Sequence, residues 1–191
     1  MNLSFKIIDS PIGKLKLVAS DRGLVAILWE NDNPRRVRLK EVVDNPTHSI
    51  LLQTEKELAE YFKGRRNKFS IPLDMHGTKF QKSVWDALLK IPFGETRTYG
   101  QLAKQLGNPK AMRAVGAANG RNPAAIVVPC HRVIGANGKL TGFAAGLEAK
   151  AHLLNLESPK RKVDGITREQ RKDAARPPLQ GGTFLYIEAW G

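Results

Sequence analysis

Cysteine is almost missing from this chain: among 191 residues there is one, Cys130. A lone thiol can form no internal disulfide and cannot supply a zinc site built from several thiolates, so a reducing, cytoplasmic setting is expected. The four histidines, His48, His76, His131 and His152, show no H-x-x-x-H spacing, and no metal is expected. Long apolar runs are missing too. Leu24-Val25-Ala26-Ile27-Leu28-Trp29 is far too short to cross a bilayer, and the opening MNLSFKIIDSPIGK has no charged region leading into an apolar stretch, so no membrane association is expected. G-x-S-x-G, the P-loop and G-x-G-x-x-G are all absent, which removes a serine-hydrolase elbow, a phosphate cradle and a dinucleotide fingerprint. No cofactor is expected.

Acidic residues are scarce relative to basic ones: 18 Asp and Glu stand against 31 Lys and Arg, a formal net charge of +13. A positive surface gains affinity for a polyanion by releasing condensed counterions, which points to nucleic acid. A basic surface that serves only solubility is the competing reading.

The first thirty residues alternate apolar and polar positions around turn signals at Ser10-Pro11-Ile12-Gly13 and Ser20-Asp21-Arg22-Gly23. This predicts short antiparallel strands over Leu3 to Ile8, Lys14 to Ala19 and Leu24 to Glu30. After a polar, Pro-containing stretch, Leu51, Leu58, Ala59 and Phe62 recur at helical spacing until Gly64, and Lys68 to Leu73 is a candidate strand. No catalytic constellation occurs in this half, which reads as a small α/β scaffold over residues 1–75.

Residues 76–157 differ in texture. Thr78-Lys79-Phe80-Gln81 and Thr98-Tyr99-Gly100-Gln101 are both capping boxes. The first predicts a helix burying Phe80, Val84, Leu88 and Ile91 and ending at Pro92-Phe93-Gly94. The second predicts a helix burying Tyr99, Leu102, Ala103 and Leu106. After Gly107, Asn108 as N-cap and Pro109 at the first position predict a third helix to about Asn119, with Ala111, Ala114, Val115 and Ala118 inward and Lys110, Arg113 and Ala117 outward. Two short helices across a tight turn are either a helix-turn-helix or an ordinary helical hairpin. Ala124 to Val128 is a candidate buried strand, Gly135 to Gly138 a turn, and Leu147, Ala151 and Leu154 mark a last helix ending near Glu157. The basic, Pro- and Gly-containing tail over 158–191 shows no sustained periodicity and is expected to be poorly ordered or a remnant of cloning.

Most lone cysteines are small buried hydrophobes, but Cys130 has an unusual setting in Pro129-Cys130-His131-Arg132. Pro129 ends strand pairing and releases Cys130 into a turn, and the neighbouring basic groups are expected to lower the thiol's pKa and favour a nucleophile. Adjacent residues rarely face each other, so His131 would reach the sulfur through a water or by folding back. Glu157 is the candidate that orients its imidazole.

The segment Pro129-Cys130-His131-Arg132-Val133-Ile134-Gly135, preceded by Gly107 to Gly116 and by Ala117-Ala118-Asn119-Gly120-Arg121-Asn122-Pro123, resembles the O6-alkylguanine-DNA alkyltransferases from about Gly77 to Glu157. The resemblance implies a ribonuclease-H-like N-terminal α/β domain, antiparallel sheet plus helix, followed by a mainly α, winged-helix-like domain with a helix-turn-helix and an active-site loop. It implies a monomer that binds double-stranded DNA through the minor groove and flips the alkylated base into a pocket. The alkyl group of O6-alkylguanine, or of O4-alkylthymine, then passes irreversibly to the protein. By the same resemblance Cys130 is the alkyl acceptor and His131 with Glu157 the water-mediated relay. Tyr99 is the phenol that offers guanine a proton and helps rotate the nucleotide, Arg113 the finger that fills the gap in the duplex, and Asn122 the hinge. Lys110 and Ala117 face the DNA, Val133 lines the pocket through its backbone, and Phe143 and Ala144 belong to the pocket loop.

In that loop Phe143 stands where many members carry Tyr, and Ala144-Ala145 where Ser-Gly is common, so a hydroxyl near the lesion is absent. Members with a structural zinc, relatives with a Cys-rich phosphotriester-repair module, and the cysteine-less alkyltransferase-like proteins are excluded by cysteine content. A non-catalytic lesion-recognition module is the alternative, and a thiol hydrolase with a Cys-His pair is a third reading.

Overall fold

The computed structural model describes residues 2–39 and 41–158. The expectation for the tail lies outside the described residues beyond Ser158. Strands β1 (Leu3–Ile8), β2 (Leu15–Ser20) and β3 (Gly23–Trp29) form the expected meander, with Phe5 opposite Val18 and Leu17 opposite Ile27. A fourth strand, β4 (Val42–Asp44), pairs parallel to β1 and gives the order β3-β2-β1-β4. Three residues carry too little periodicity to announce a strand, which is why sequence pattern missed it. β3 is buried along its whole length because both faces are covered. Leu15, Leu17, Leu24 and Ile27 pack towards Leu51, Leu58 and Tyr61 of α1 (Ser49–Phe62), while Val18, Val25, Ala26 and Leu28 pack under Val37, Leu39 and Val42.

Lys68 to Leu73 is not a strand: a single bridge joins Leu73 to Leu24. Leu24 N–H donates to Pro72 O at 2.8 Å, and Pro72 has no N–H with which to extend a ladder. The crossing is close, because a Cβ on Gly23 would lie 2.6 Å from Pro72 O.

Both capping boxes are formed. Thr78 accepts from Gln81 N–H at the start of α2 (Lys79–Leu89), and Thr98 accepts from Gln101 N–H at the start of α3 (Tyr99–Gln105). Phe80, expected inside, is an exposed large apolar side chain, since it sits in the first turn on the side of α2 turned from the core; Val84, Leu88 and Ile91 are buried as expected. Asn108 makes no side-chain cap, and the next helix opens as a 3-10 turn, Pro109–Ala111, before α4 (Met112–Gly120). The inner face of α4 holds Val115 and Ala118 as expected, joined by Asn119, while Ala114 is exposed. α3 and α4 enclose the Gly107 turn in a helix-turn-helix arrangement, with Gly107 at φ 78. Trp85 Nε1 donates to Ala118 O at 2.9 Å and fastens α4 to α2.

Two-residue strands β5 (Arg97–Thr98) and β6 (Val133–Ile134) pair in parallel, and α5 (Gly146–Glu157) closes the described fold. Among the described residues no helix is long and apolar enough to cross a membrane.

Candidate active site

Ala124 to Val128 is buried as expected but is a tight loop instead of a strand. With no neighbouring strand to pair with, its polar groups are satisfied locally. Asn122 Nδ2 donates to Val128 O at 2.8 Å, Ala124 N–H donates to Asn122 Oδ1 at 3.1 Å, and Val128 N–H donates to Ala124 O at 2.8 Å. One carboxamide thus replaces a strand partner. The loop holds Ile126 at φ 79, a left-handed conformation costly for a β-branched residue, on the order of 1–3 kcal/mol. Complete burial of the surrounding apolar side chains offsets that strain.

The loop delivers Pro129 and then a 3-10 turn over Cys130–Arg132. Cys130 is 5 % exposed and lines a cavity of about 380 Å³, together with Tyr99, Asn119, Asn122, Phe143 and Ala144. That volume is in the range of small-ligand sites. Tyr99, half-buried at the start of α3, lies over Gly116 of α4, where a Cβ would sit 3.8 Å from its ring. Thr141 Oγ1 is 3.5 Å from the Tyr99 hydroxyl. Phe143 packs edge-on to Trp29 of β3 at 5.6 Å, so the pocket loop rests on the N-terminal sheet.

The imidazole of His131 is fully buried, and its Nε2 lies 2.8 Å from Glu157 Oε1. Burial acts to raise the Glu157 pKa, but hydrogen bonds and charge from His131 and Arg132 outweigh it and hold the carboxyl down at about 2. An ionised carboxylate accepts, so Nε2 carries the proton and Nδ1 presents its lone pair. Nδ1 is buried and has no hydrogen-bond partner among the described residues. Burial also pushes the His131 pKa below its ordinary value, against the pull of Glu157. The imidazole therefore rests neutral, as a base requires.

The thiol departs from the sequence expectation. Burial pushes the Cys130 pKa up, and that outweighs the opposing effects of the Asn122 hydrogen bond and of the Lys150 and Arg36 charges. Arg132, expected to act on the sulfur, is spent on Glu157: its Nε donates to Oε2 at 2.7 Å and its Nη2 to Oε1 at 2.9 Å, while Nη1 donates to Ile91 O at 2.6 Å. Cys130 thus rests as a thiol, and its neighbour in sequence carries a neutral imidazole.

The structure brings Cys130, Tyr99, Asn122, Phe143 and Ala144 to one cavity, while His131 and Glu157 pair with each other outside its lining. Val133 is buried and does not line that cavity; its carbonyl accepts from Lys150 Nζ at 2.5 Å. Lys110, Arg113 and Ala117 are exposed on the 3-10 turn and α4, outside the cavity, as their sequence phase implies. Among the described residues, no group of three or more His, Cys, Asp or Glu could hold a metal ion.

Sequence pattern missed four contributors. Lys150 is fully buried in α5, bonded to the carbonyls of Val133 and of Thr141 at the start of the pocket loop, and desolvation brings its pKa down to about 8. Arg36 and Asp32 form a buried ion pair, and Arg36 donates to the Asn122 and Ile27 carbonyls, tying the hinge to β3. Their i, i+4 spacing was a visible signal. Tyr61, from α1, donates to Glu157 Oε1 at 2.7 Å across a separation of 96 residues, for which no local signal exists.

Comparison with known proteins agrees with this geometry. Residues 3–75 match the family model described as "6-O-methylguanine DNA methyltransferase, ribonuclease-like domain", and residues 79–159 the one described as "6-O-methylguanine DNA methyltransferase, DNA binding domain". A methylated-DNA--protein-cysteine methyltransferase of Methanosarcina acetivorans is 50 % identical over 153 residues, covering 80 % of this chain and 97 % of that protein. The crystal structure of Mycobacterium tuberculosis O6-methylguanine methyltransferase is 44 % identical, with TM-score 0.74, over 85 % of this chain and 96 % of that one. A structure of the M. tuberculosis protein in complex with DNA is 45 % identical, with TM-score 0.74, over 81 % and 93 % of the two chains. With both halves matched and half the aligned residues identical to a curated relative, the chain belongs to the 6-O-methylguanine DNA methyltransferase family.

Proposed function

We propose that this chain repairs O6-alkylguanine in duplex DNA by moving the alkyl group irreversibly to Cys130. The observation that carries this reading is the sulfur on the wall of a cavity, next in sequence to a neutral imidazole bonded to an ionised carboxylate. Residues 76–157 perform the chemistry, and residues 1–75 support the pocket loop and the hinge. The methylated-DNA--protein-cysteine methyltransferases at 45–50 % identity and the DNA complex of the M. tuberculosis relative support it.

The chain works as a monomer in the cytoplasm. α4 enters the minor groove, whose degenerate base code suits a search for damage without sequence preference. Arg113 takes the place of the everted nucleotide, offsetting part of the few kcal/mol of unstacking. Lys110 meets phosphate, and Ala117 allows close approach to the sugar edge. In the cavity the thiol proton passes through a water to His131 Nδ1, and Glu157 stabilises the imidazolium. The sulfur attacks the alkyl carbon in line, the S–C bond forms as the C–O6 bond breaks, and Tyr99 gives a proton to the departing guanine; the proton held on His131 then returns through solvent to restore the phenol. A thioether offers no carbonyl to water, so each molecule reacts once.

A duplex carrying a radiolabelled O6-methyl group tests the reading. The label is expected on the protein at one per chain, and Cys130→Ser should abolish this while keeping lesion binding. Lesion binding without label transfer by the unaltered chain supports a recognition module instead. Turnover with a regenerated thiol supports a hydrolase.

A further inference from the structure

The buried phenol of Tyr61 has no part in this chemistry, yet it touches its machinery. Tyr61 is 1 % exposed, and its hydroxyl donates at 2.7 Å to Glu157 Oε1, the same oxygen that takes His131 Nε2 at 2.8 Å. The ring is fixed by Phe62, Phe69 and Phe93 at centroid distances of 5.5, 5.3 and 6.3 Å. Such packing leaves the hydroxyl no other direction to serve. Phe143 of the pocket loop is edge-on to His131 at 6.4 Å and offers it no polar atom.

We propose that Tyr61 is a positioning residue that sets how strongly Glu157 draws on the His131 imidazole, and so the pH at which Cys130 becomes reactive. This rests on the relay assigned under Proposed function. A carboxylate oxygen shared among donors gives less of its charge to each, because every hydrogen bond it accepts stabilises the anion and lowers its basicity. Oε1 serves Tyr61, His131 and Arg132 Nη2, while Oε2 serves Arg132 Nε and Gly94 N–H. The other charges acting on the relay are Lys150, which opposes protonation of His131 and favours the Cys130 thiolate, and Arg36, which also favours the thiolate. The phenol is neutral and serves Oε1 alone, so its loss changes the hydrogen bonding of that oxygen and leaves the formal charge of the site unchanged. Freed of it, Oε1 binds Nε2–H more tightly, Nδ1 becomes more basic, and the thiol yields its proton at lower pH.

Because Cys130 is the chain's only cysteine, iodoacetamide alkylation against pH reads this thiol alone. The full-length Tyr61→Phe chain keeps the ring packing and is expected to shift the alkylation midpoint down by about half a pH unit. The double variant Tyr61→Phe with Glu157→Gln should show no shift beyond Glu157→Gln alone. Site-specific 3,5-difluorotyrosine at position 61, a stronger donor, should move the midpoint up, and it keeps the test available if Tyr61→Phe does not fold. An unmoved midpoint, or the same shift persisting when Glu157 is Gln, overturns the role and reduces Tyr61 to packing. The proposed repair reaction is judged separately, by methyl transfer from duplex to the unaltered chain.

Discussion

At the scale of single residues, the electrostatic character of the site is decided by burial. The sulfur is held as a thiol and the imidazole neutral, so the proposed transfer requires the thiol to give up its proton. The same burial has a consequence for stability. His131 has a folded pKa below its ordinary 6.5, and Glu157 is held at about 2 against an ordinary 4.5. Both are depressed, so the unfolded chain binds more protons and stability falls as pH falls. The His131 contribution is lost as pH drops below 6.5. That of Glu157, on the order of 3 kcal/mol, is present above 4.5 and lost towards 2. Urea unfolding at a series of pH values should show both limbs. His131→Gln is expected to flatten the first limb and, by removing the imidazole charge that helps depress Glu157, to weaken the second, while abolishing transfer; an unchanged limb near pH 6 would assign it to another group. The His131–Glu157 pairing and the place of Cys130 at the cavity were legible in sequence, because a thiol nucleophile calls for a base and an orienter. The direction of the thiol's shift was not, because burial is not written in the neighbouring residues.

Among the elements, two identical caps have different consequences. Thr78 and Thr98 each complete a capping box, worth about 1 kcal/mol. Thr98 positions the first turn of α3, which carries Tyr99, whereas the helix capped by Thr78 contributes no side chain to the cavity. Thr78→Ala should lower unfolding free energy by about 1 kcal/mol with transfer rates unchanged, and Thr98→Ala should lower both. Equal effects of the two on transfer would mean that α3 is held by packing alone. The two capping boxes and the meander were legible because local hydrogen bonding fixes them, whereas the Asn108 cap read from sequence is not formed. The Ala124 to Val128 loop was not: its apolar composition fits a buried strand equally well, and the deciding fact is the Asn122 side chain standing in for a partner. β4 is too short to carry a period, and it gains its place from the parallel edge of β1.

Over the whole molecule, contacts between distant segments complete the site. Arg36 carries the sheet to the hinge, Trp29 supports Phe143, and Tyr61 reaches Glu157. None of these long-range contacts is visible in a linear reading, except that the i, i+4 spacing of Asp32 and Arg36 hints at a pair. Replacing Arg36 with Met leaves the buried Asp32 charge unpaired and is expected to cost about 3–5 kcal/mol of stability by chemical denaturation. A loss below about 1 kcal/mol would show that the tie is dispensable. The net charge of +13 predicts strong salt dependence of duplex binding. Lys110→Ala should reduce the slope of log affinity against log salt by about 1, and an unchanged slope would remove Lys110 from the phosphate contacts. The most direct measurement is the mass of the peptide holding Cys130 after incubation with excess O6-methylguanine duplex. Irreversible transfer predicts a gain of one CH2 on that peptide, complete at one lesion repaired per chain and stable with time. An unmodified Cys130 peptide alongside repaired DNA, or repair continuing beyond one lesion per chain, would contradict it.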